Sequence, residues 1–127
     1  MSPVKLLFID NDEEFRVSMT KFLSNEGYSV SSATDGEEAL RYLNEERFDL
    51  VVAELKMPGL NGIEFLRDVQ KVSPQSKVVV LTAYGEWVSY LEALKAGAVE
   101  YLNKPVKKDE LLGTIRNVLE KGECSQT

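Results

Sequence analysis

The sequence predicts an α/β fold in which a doubly wound, five-stranded parallel sheet of strand order 2-1-3-4-5 is covered by helices on both faces. Short apolar segments alternate strictly with segments of helical period, and the connections between them are short. Such alternation indicates a parallel sheet with right-handed crossovers. The first, third and fourth apolar segments are continuous runs, whereas the second and fifth hold fewer hydrophobic residues. We therefore expect the second and fifth strands at the two edges.

The first two strand–helix units are marked by acidic residues at the starts of their helices. Residues 4–9 form an apolar run, and the acidic residues 12–14 that follow favour the positive end of a helix dipole. Gly27 is expected to end this helix. Residues 28–32 alternate weakly as a second strand, and Asp35 is a predicted N-cap of the second helix.

The last three units are separated by turn-forming residues. Residues 48–53 form the third strand, a loop rich in glycine and proline follows at 58–62, and Pro74 ends the third helix. The remaining predicted elements are a strand at 78–81, a helix at 87–96, a strand at 98–102 and a helix that includes residues 111–119. We therefore predict a single domain over residues 1–121 and a polar C-terminal tail over residues 122–127.

The composition excludes several classes of function. The 127-residue chain has a net charge of −6, which repels nucleic acid and anionic membranes. It has no histidine and one cysteine, Cys124, which excludes imidazole catalysis, intramolecular disulfides and thiolate zinc sites. Acidic residues follow the N-terminal apolar run at once, so we predict no signal peptide or membrane span and expect a cytoplasmic location.

Polar side chains stand at the predicted carboxyl ends of four strands, where open α/β sheets bind ligands. Asp10 follows the first strand, Glu54 the third, Thr82 the fourth and Lys104 the fifth. A charge at the end of a buried strand needs a partner or a cation, so Asp10 and Glu54 are candidate functional residues. Asp12 is expected to cap a helix instead. Oxygen ligands without histidine or cysteine suit Mg²⁺.

These strand ends resemble those of the receiver domain of two-component response regulators, and the resemblance covers residues 4–119. The motifs that carry it are Phe8-Ile9-Asp10, Glu54-Leu55-Lys56-Met57-Pro58 with Gly62, Thr82-Ala83, Tyr101 and Lys104-Pro105. It implies a flavodoxin-like (βα)5 receiver fold and a non-enzymatic function in phosphorelay signal transduction. In such receivers an aspartate at the position of Glu54 accepts a phosphoryl group from a sensor histidine kinase or phosphotransfer protein.

The resemblance also implies roles for the residues around the acceptor position. Lys104 and Thr82, with Ala83 beside it, would bind the phosphoryl group, and Tyr101 would turn inward behind it as a switch residue. The Mg²⁺ ligands would come from Asp10, Asn11, Glu54 and the main-chain carbonyl of Lys56, a list that follows from the resemblance alone.

Two departures from the family pattern affect this expectation. Glu54 stands where receivers have aspartate, and its extra methylene moves the carboxylate more than about 1 Å further toward the place of the phosphoryl oxygens. Glu54 then resembles a phosphomimetic residue, with a charge of about −1 in place of roughly −1.5 to −2, within reach of Lys104 and Thr82. Asn11 replaces one residue of an acidic pair, so Mg²⁺ should bind weakly or not at all.

The departures leave two origins open. The chain is either a naturally divergent pseudo-receiver or an ordinary receiver into which Glu54 was introduced by engineering. The second departure, Asn11, favours natural divergence.

The fourth helix is predicted to contribute to an interaction surface. Residues 86–97 hold more apolar side chains than one buried helix face requires, among them Trp87, Tyr90, Leu91 and Leu94. A helix that is simply well buried would give the same pattern. In similar receivers the fourth helix, fifth strand and fifth helix bind an output domain or a second copy. We therefore expect an output domain or protein partner, and a possible homodimer through these four residues.

Two other classes of protein share this topology. A Mg²⁺-dependent phosphatase or phosphotransfer enzyme would also use strand-end carboxylates, but it usually needs a second acid two residues after the nucleophile, where this chain has Lys56. A flavin-binding protein would need a phosphate loop after the first strand, and the acidic residues Asp10 and Asp12 would repel that phosphate.

Overall fold

The computed structural model describes residues 3–57, 59–83 and 90–124, and strands alternate with helices there as predicted. The strands are β1 (Lys5–Ile9), β2 (Ser29–Ala33), β3 (Leu50–Ala53), β4 (Lys77–Ala83) and β5 (Glu100–Lys104). The helices are α1 (Glu13–Asn25), α2 (Gly36–Glu45), α3 (Gly62–Val72), α4 (Tyr90–Lys95) and α5 (Lys108–Cys124). None of the helices in these ranges is long and apolar enough to cross a membrane.

The five strands form one parallel sheet in the order β2-β1-β3-β4-β5, which confirms the predicted topology. The central strands β1, β3 and β4 are almost wholly buried, and the edge strands β2 and β5 are half-buried, as their composition predicted. Ile9 pairs with Ala53, and Ala53 with Val80. This register brings the carboxyl ends of the central strands to the same edge of the sheet.

The sheet has an apolar core on each face. Alternate residues of β1 point to opposite sides, with Leu7 and Ile9 in one core and Leu6 and Phe8 in the other. The first core is covered by α2, α3 and α4, and the second by α1 and α5. Because both faces are covered, the central strands need apolar residues at every position, which explains their continuous hydrophobic runs.

Both predicted aspartate N-caps are confirmed. The Asp12 carboxylate accepts a hydrogen bond from the Phe15 main-chain N–H at 3.2 Å, and the Asp35 carboxylate accepts one from Glu38 N–H at 2.8 Å. Each bond satisfies a donor that the first turn of a helix leaves without an intrahelical partner. Asp12 is therefore held at the start of α1 by the capping bond.

Strand β5 begins later than the sequence predicted. The predicted range was 98–102, whereas β5 spans Glu100–Lys104. Gly97 has a φ of +116°, and the Ala98 N–H donates to the Ala93 carbonyl at 3.0 Å, so residue 98 still closes the end of α4. The shift makes Lys104 the last residue of the strand.

Helix α5 extends into the predicted C-terminal tail, residues 122–127, and the extent of the domain over residues 1–121 stays a prediction. The helix continues to Cys124 through Gly122, and residues 125–127 lie outside those described. A glycine costs a helix about 1 kcal/mol relative to alanine, which is too little to stop a helix that packs along the sheet.

Candidate functional site

Four strand ends place the candidate side chains at one edge of the sheet. Asp10 directly follows β1 and Glu54 directly follows β3, while Thr82 is the penultimate residue of β4 and Lys104 the last of β5. Ala83 lies opposite Lys104 in the pairing of β4 with β5. The structure therefore brings together the residues that the sequence analysis selected from strand ends alone.

Asp10, Glu54 and Lys104 form a carboxylate–lysine cluster. Lys104 Nζ lies 2.7 Å from Asp10 Oδ2 and 2.9 Å from Glu54 Oε1. Asp10 is fully buried and Glu54 is 4% exposed, while the lysine side chain is 22% exposed. The predicted contact between Glu54 and Lys104 is thus confirmed. The cluster carries one positive and two negative charges at a largely dehydrated rim.

Main-chain donors hold the other oxygen of each carboxylate. The Asp12 N–H donates to Asp10 Oδ1 at 2.9 Å, and the Lys56 N–H donates to Glu54 Oε2 at 2.7 Å. Each of the four carboxylate oxygens therefore already has one protein donor. These main-chain hydrogen bonds help to hold both carboxylates in place beside one ammonium.

Two residues of α1 contribute contacts that sequence analysis did not predict. Lys104 Nζ lies 4.5 Å from the centroid of the Phe15 ring, and Arg16 Nη1 donates to the main-chain carbonyl of Asp10 at 2.9 Å. A usable signal exists in the chain: both residues fall within the first turn after the cap Asp12, which places them beside the end of β1.

The cluster changes the protonation equilibria of two side chains. Burial lowers the pKa of Lys104, but hydrogen bonds and charge interactions with Asp10 and Glu54 outweigh it, and the net pKa is raised. Burial raises the pKa of Tyr101, and the Glu54 charge raises it further. The influence of Glu54 means that the Tyr101 hydroxyl lies within electrostatic range of the cluster.

The remaining predicted residues fall into buried and exposed groups. Thr82 is buried at 2% exposure, and Tyr101 is half-buried against the core covered by α2, α3 and α4. The Tyr101 ring meets the Tyr90 ring edge-on at a centroid distance of 5.9 Å, which connects β5 to the first residue of α4. Asn11 is exposed, and Trp87 lies outside the described residues.

Both candidate carboxylate ligands of Mg²⁺ already contact Lys104. The residues that the resemblance assigns to the ion offer two carboxylates, one exposed amide and one main-chain carbonyl. Within the described ranges, no three acidic, histidine or cysteine side chains are placed to hold a metal ion. Mg²⁺ loses its waters reluctantly and needs near-octahedral geometry, and here it would compete with Lys104 for both carboxylates.

Comparison with known proteins identifies the family. The model of the response regulator receiver domain matches residues 6–116. The chain is 39% identical over 118 residues to the transcriptional regulatory protein GlrR of Escherichia coli K12, and the match covers 93% of this chain but 27% of GlrR. The chain thus spans about a quarter of the length of this relative.

Two solved structures show the same fold. A CheY-like receiver domain protein from Methanospirillum hungatei has a TM-score of 0.91 at 31% identity and covers 98% of this chain and 99% of its own. The response regulator TrrA from Thermotoga maritima, solved in complex with Mg²⁺ and BeF, has a TM-score of 0.79 at 32% identity and covers 90% of this chain and 97% of its own. The strand order, the strand-end residues and the match over residues 6–116 establish that the chain belongs to the response regulator receiver domain family.

Proposed function

We propose that this receiver domain acts in two-component signalling without accepting a phosphoryl group at residue 54. The observation that carries the proposal is the 2.9 Å contact between Glu54 Oε1 and Lys104 Nζ. In receivers that resemble this chain, the matching ammonium pairs with a phosphoryl oxygen. Glu54 already forms an ion pair with that ammonium. The domain is therefore either a phosphomimetic receiver or one deficient in phosphorylation.

The charge and geometry of the cluster favour a partial mimic. A carboxylate carries about −1, whereas a phosphoryl group carries roughly −1.5 to −2 and offers three acceptor oxygens. Lys104 is also shared, since its Nζ lies closer to Asp10 Oδ2 than to Glu54 Oε1. Glu54 therefore supplies only part of the attraction that a phosphoryl group would exert on the lysine.

Tyr101 offers a path from Glu54 to a partner surface. Its hydroxyl responds to the Glu54 charge, and its ring packs edge-on against Tyr90 at the start of α4. We propose that an inward Tyr101 sets the position of α4 and that the α4–β5–α5 face binds an output domain or protein partner. The name of GlrR, a transcriptional regulatory protein, supports an output of this kind. Any contact with nucleic acid would belong to that partner, since this chain has a net charge of −6.

The upstream partner would be a sensor histidine kinase or phosphotransfer protein, a contact that the loss of the acceptor aspartate makes dispensable. Mg²⁺, which accompanies the complex of TrrA, would bind here weakly if at all. We propose no enzymatic activity, because Lys56 stands where a phosphatase of this topology needs its second acid. The cytoplasmic location expected from the composition stays a prediction.

Intact-mass spectrometry after incubation with acetyl phosphate and Mg²⁺ tests this function. We expect the wild-type chain to gain no phosphoryl group, because Glu54 displaces the in-line geometry of transfer and Asn11 weakens the cation site. Glu54→Asp should restore partial labelling, and the double variant Glu54→Asp with Asn11→Asp should restore more.

Glu54→Gln is the matched control, since it keeps the length of the side chain and removes the charge. It should take up no phosphoryl group, which measures labelling elsewhere on the chain. Stoichiometric, Mg²⁺-dependent addition of one phosphoryl group to Glu54 in the wild-type chain would refute the proposed function.

A further inference from the structure

The ammonium of Lys104 has contacts on three sides. Two carboxylate oxygens lie at 2.7 and 2.9 Å from Nζ, and the Phe15 ring centroid lies at 4.5 Å. The Phe15 ring is itself held in place, because it packs against the buried Phe8 ring at a centroid distance of 5.9 Å. The position of the ammonium is thus defined by side chains from three segments: the residue after β1, the first turn of α1 and the residue after β3.

An aromatic ring face at this distance attracts an ammonium without adding a full charge. The negative face of the ring quadrupole favours a cation within about 6 Å of its centroid. The ring also excludes water from one side of Lys104, and this strengthens its attraction to both carboxylates. A lysine has many rotamers in solution, so the ring reduces the conformations available to the free ammonium before it meets Asp10 and Glu54.

We propose that Phe15 is a positioning residue that holds the Lys104 ammonium between Asp10 and Glu54, so that the lysine takes the place of a divalent cation at these carboxylates. The inference rests on the proposed function in one respect, since the Glu54–Lys104 contact is common to both. It adds a residue of α1 whose effect on the cluster is exerted through Lys104 and not by contact with a phosphoryl group or metal.

Competition for the carboxylates links Phe15 to cation affinity. A divalent ion that binds Asp10 and Glu54 competes with Lys104 for their oxygens, and the other oxygen of each carboxylate already accepts a main-chain hydrogen bond. A contact that stabilises the ammonium in place therefore opposes binding of the ion. Loss of the Phe15 ring should therefore make the Lys104 ammonium easier to displace and strengthen binding of the ion.

Substitution of Phe15 tests the inference with Mg²⁺ itself as the probe. Phe15→Leu and Phe15→Met remove the ring face and keep an apolar side chain, whereas Phe15→Tyr keeps the ring. Phe22→Leu is the matched control, because the Phe22 ring also lies on α1 under a lysine, with Lys108 Nζ at 5.6 Å from its centroid. Two readouts are needed: the Mg²⁺ dissociation constant from an amide NMR titration, and the proton exchange rate of the Lys104 ammonium in ¹⁵N-lysine spectra.

We expect Phe15→Leu and Phe15→Met to tighten Mg²⁺ binding and to speed ammonium exchange at Lys104, each by about two- to fivefold. Phe15→Tyr should stay near the wild-type values, and Phe22→Leu should change neither readout even where it lowers thermal stability. Equal exchange rates and equal Mg²⁺ affinities in Phe15→Leu, Phe15→Met and the wild-type chain would overturn the inference. Phosphoryl uptake at Glu54 in the wild-type chain would refute the proposed function and leave this comparison of variants intact, so the two failures are distinguishable.

Discussion

Asp10, Glu54 and Lys104 leave one net negative charge at a rim where the two acidic side chains are almost fully buried. Removing the positive charge and removing one negative charge should therefore have different effects on the stability of the fold. Loss of the lysine leaves two carboxylates facing each other, whereas loss of one carboxylate leaves a balanced ion pair. The stability of the fold should follow this difference.

Lys104→Met should lower the free energy of unfolding at pH 7 by about 2 kcal/mol. Breaking a fully buried pair costs about 3 to 5 kcal/mol, and the 22% exposure of Lys104 lets water compensate part of that loss. Glu54→Gln should change stability by less than about 1 kcal/mol, because Asp10 keeps its ammonium. Urea denaturation of the three proteins measures the order, and a larger loss in Glu54→Gln than in Lys104→Met would contradict the charge assignment.

Alkaline pH should weaken the fold through the same residues. The pKa of Lys104 is raised in the folded chain above its ordinary value of 10.5, and that of Tyr101 is raised above 10.0. The folded state thus binds both protons more tightly than the unfolded state. The stability contributed by Lys104 is fully present below its unfolded pKa and is lost as the pH rises through its folded pKa.

Unfolding by urea from about pH 9 to about pH 11.5 checks this dependence. The stability difference between the wild-type chain and Lys104→Met should begin to shrink as the pH passes above about 10.5, where the lysine loses its proton in the unfolded chain, and should shrink further until the pH passes the raised pKa of the folded chain. A difference that stays constant over this range would show that the lysine contributes by packing alone.

Part of the residue-level site could be predicted and part could not. The contact between Glu54 and Lys104 followed from electrostatics, because a carboxylate at the end of a buried strand needs a cation. The sharing of Lys104 with Asp10 and the ring contact of Phe15 depend on side-chain rotamers and on the entry angle of α1. Neither of these is encoded in the spacing of residue types along the chain.

The loop between β1 and α1 determines how well this edge of the sheet can hold a cation. Asp12 caps α1 and Asn11 is exposed, so the loop adds no carboxylate to Asp10. We predict a Mg²⁺ dissociation constant on the order of millimolar or weaker, since few charges face a reluctantly dehydrating ion. Calorimetry on the wild-type chain and on Asn11→Asp checks this, and the variant should bind more tightly. Micromolar affinity in the wild-type chain would mean that another group completes the site.

Helix α4 exposes apolar side chains that a purely buried helix would not. Tyr90 is 52% exposed and Leu91 is 65% exposed. If Glu54 mimics a phosphoryl group, the domain keeps the arrangement of a phosphorylated receiver and exposes this face of α4 at all times. We therefore expect a concentration-dependent dimer without a phosphate donor. Leu91→Lys should weaken association by about tenfold or more, because it places a charge at the centre of an apolar contact.

Sedimentation from about 1 to 500 μM measures this association. Val17→Lys is the control, since Val17 on α1 is also exposed, at 55%, on an element that packs against the opposite face of the sheet. Equal weakening in both variants, or a monomer at every concentration, would remove α4 as a dimer surface. The predicted contribution of Trp87 is tested separately with Trp87→Ala, because that residue lies outside the described ranges.

Element boundaries were predictable where a local signal exists. Asp12 and Asp35 gave the helix starts because a capping carboxylate acts on donors three residues away. The start of β5 was wrong by two residues, because the hydrogen bonds that close α4 after Gly97 extend past the glycine. The hydrogen bonds that end α4 and those that pair β5 with β4 compete for the same residues. The pairing register of the folded sheet determines where β5 begins.

At the scale of the whole molecule, the alternation of strands and helices predicted the doubly wound sheet, and burial predicted which strands lie at its edges. Strands covered on both faces must be apolar throughout, so β1, β3 and β4 could be assigned to the centre and β2 and β5 to the edges. Once the order is known, the strand ends converge and the location of the site follows. The topology does not determine the chemistry at that location, which depends on the side chains that lie there.

The most direct test of the account is an amide NMR titration with beryllofluoride and Mg²⁺, the pair that accompanies the structure of TrrA. If Glu54 already occupies Lys104, amides of β4, β5 and α4 in the wild-type chain should keep their positions at concentrations that saturate the double variant Glu54→Asp with Asn11→Asp. The double variant should show large shifts at the same amides. A wild-type spectrum that moves to saturation at the same concentrations would show that the acceptor site is open, and would contradict the account.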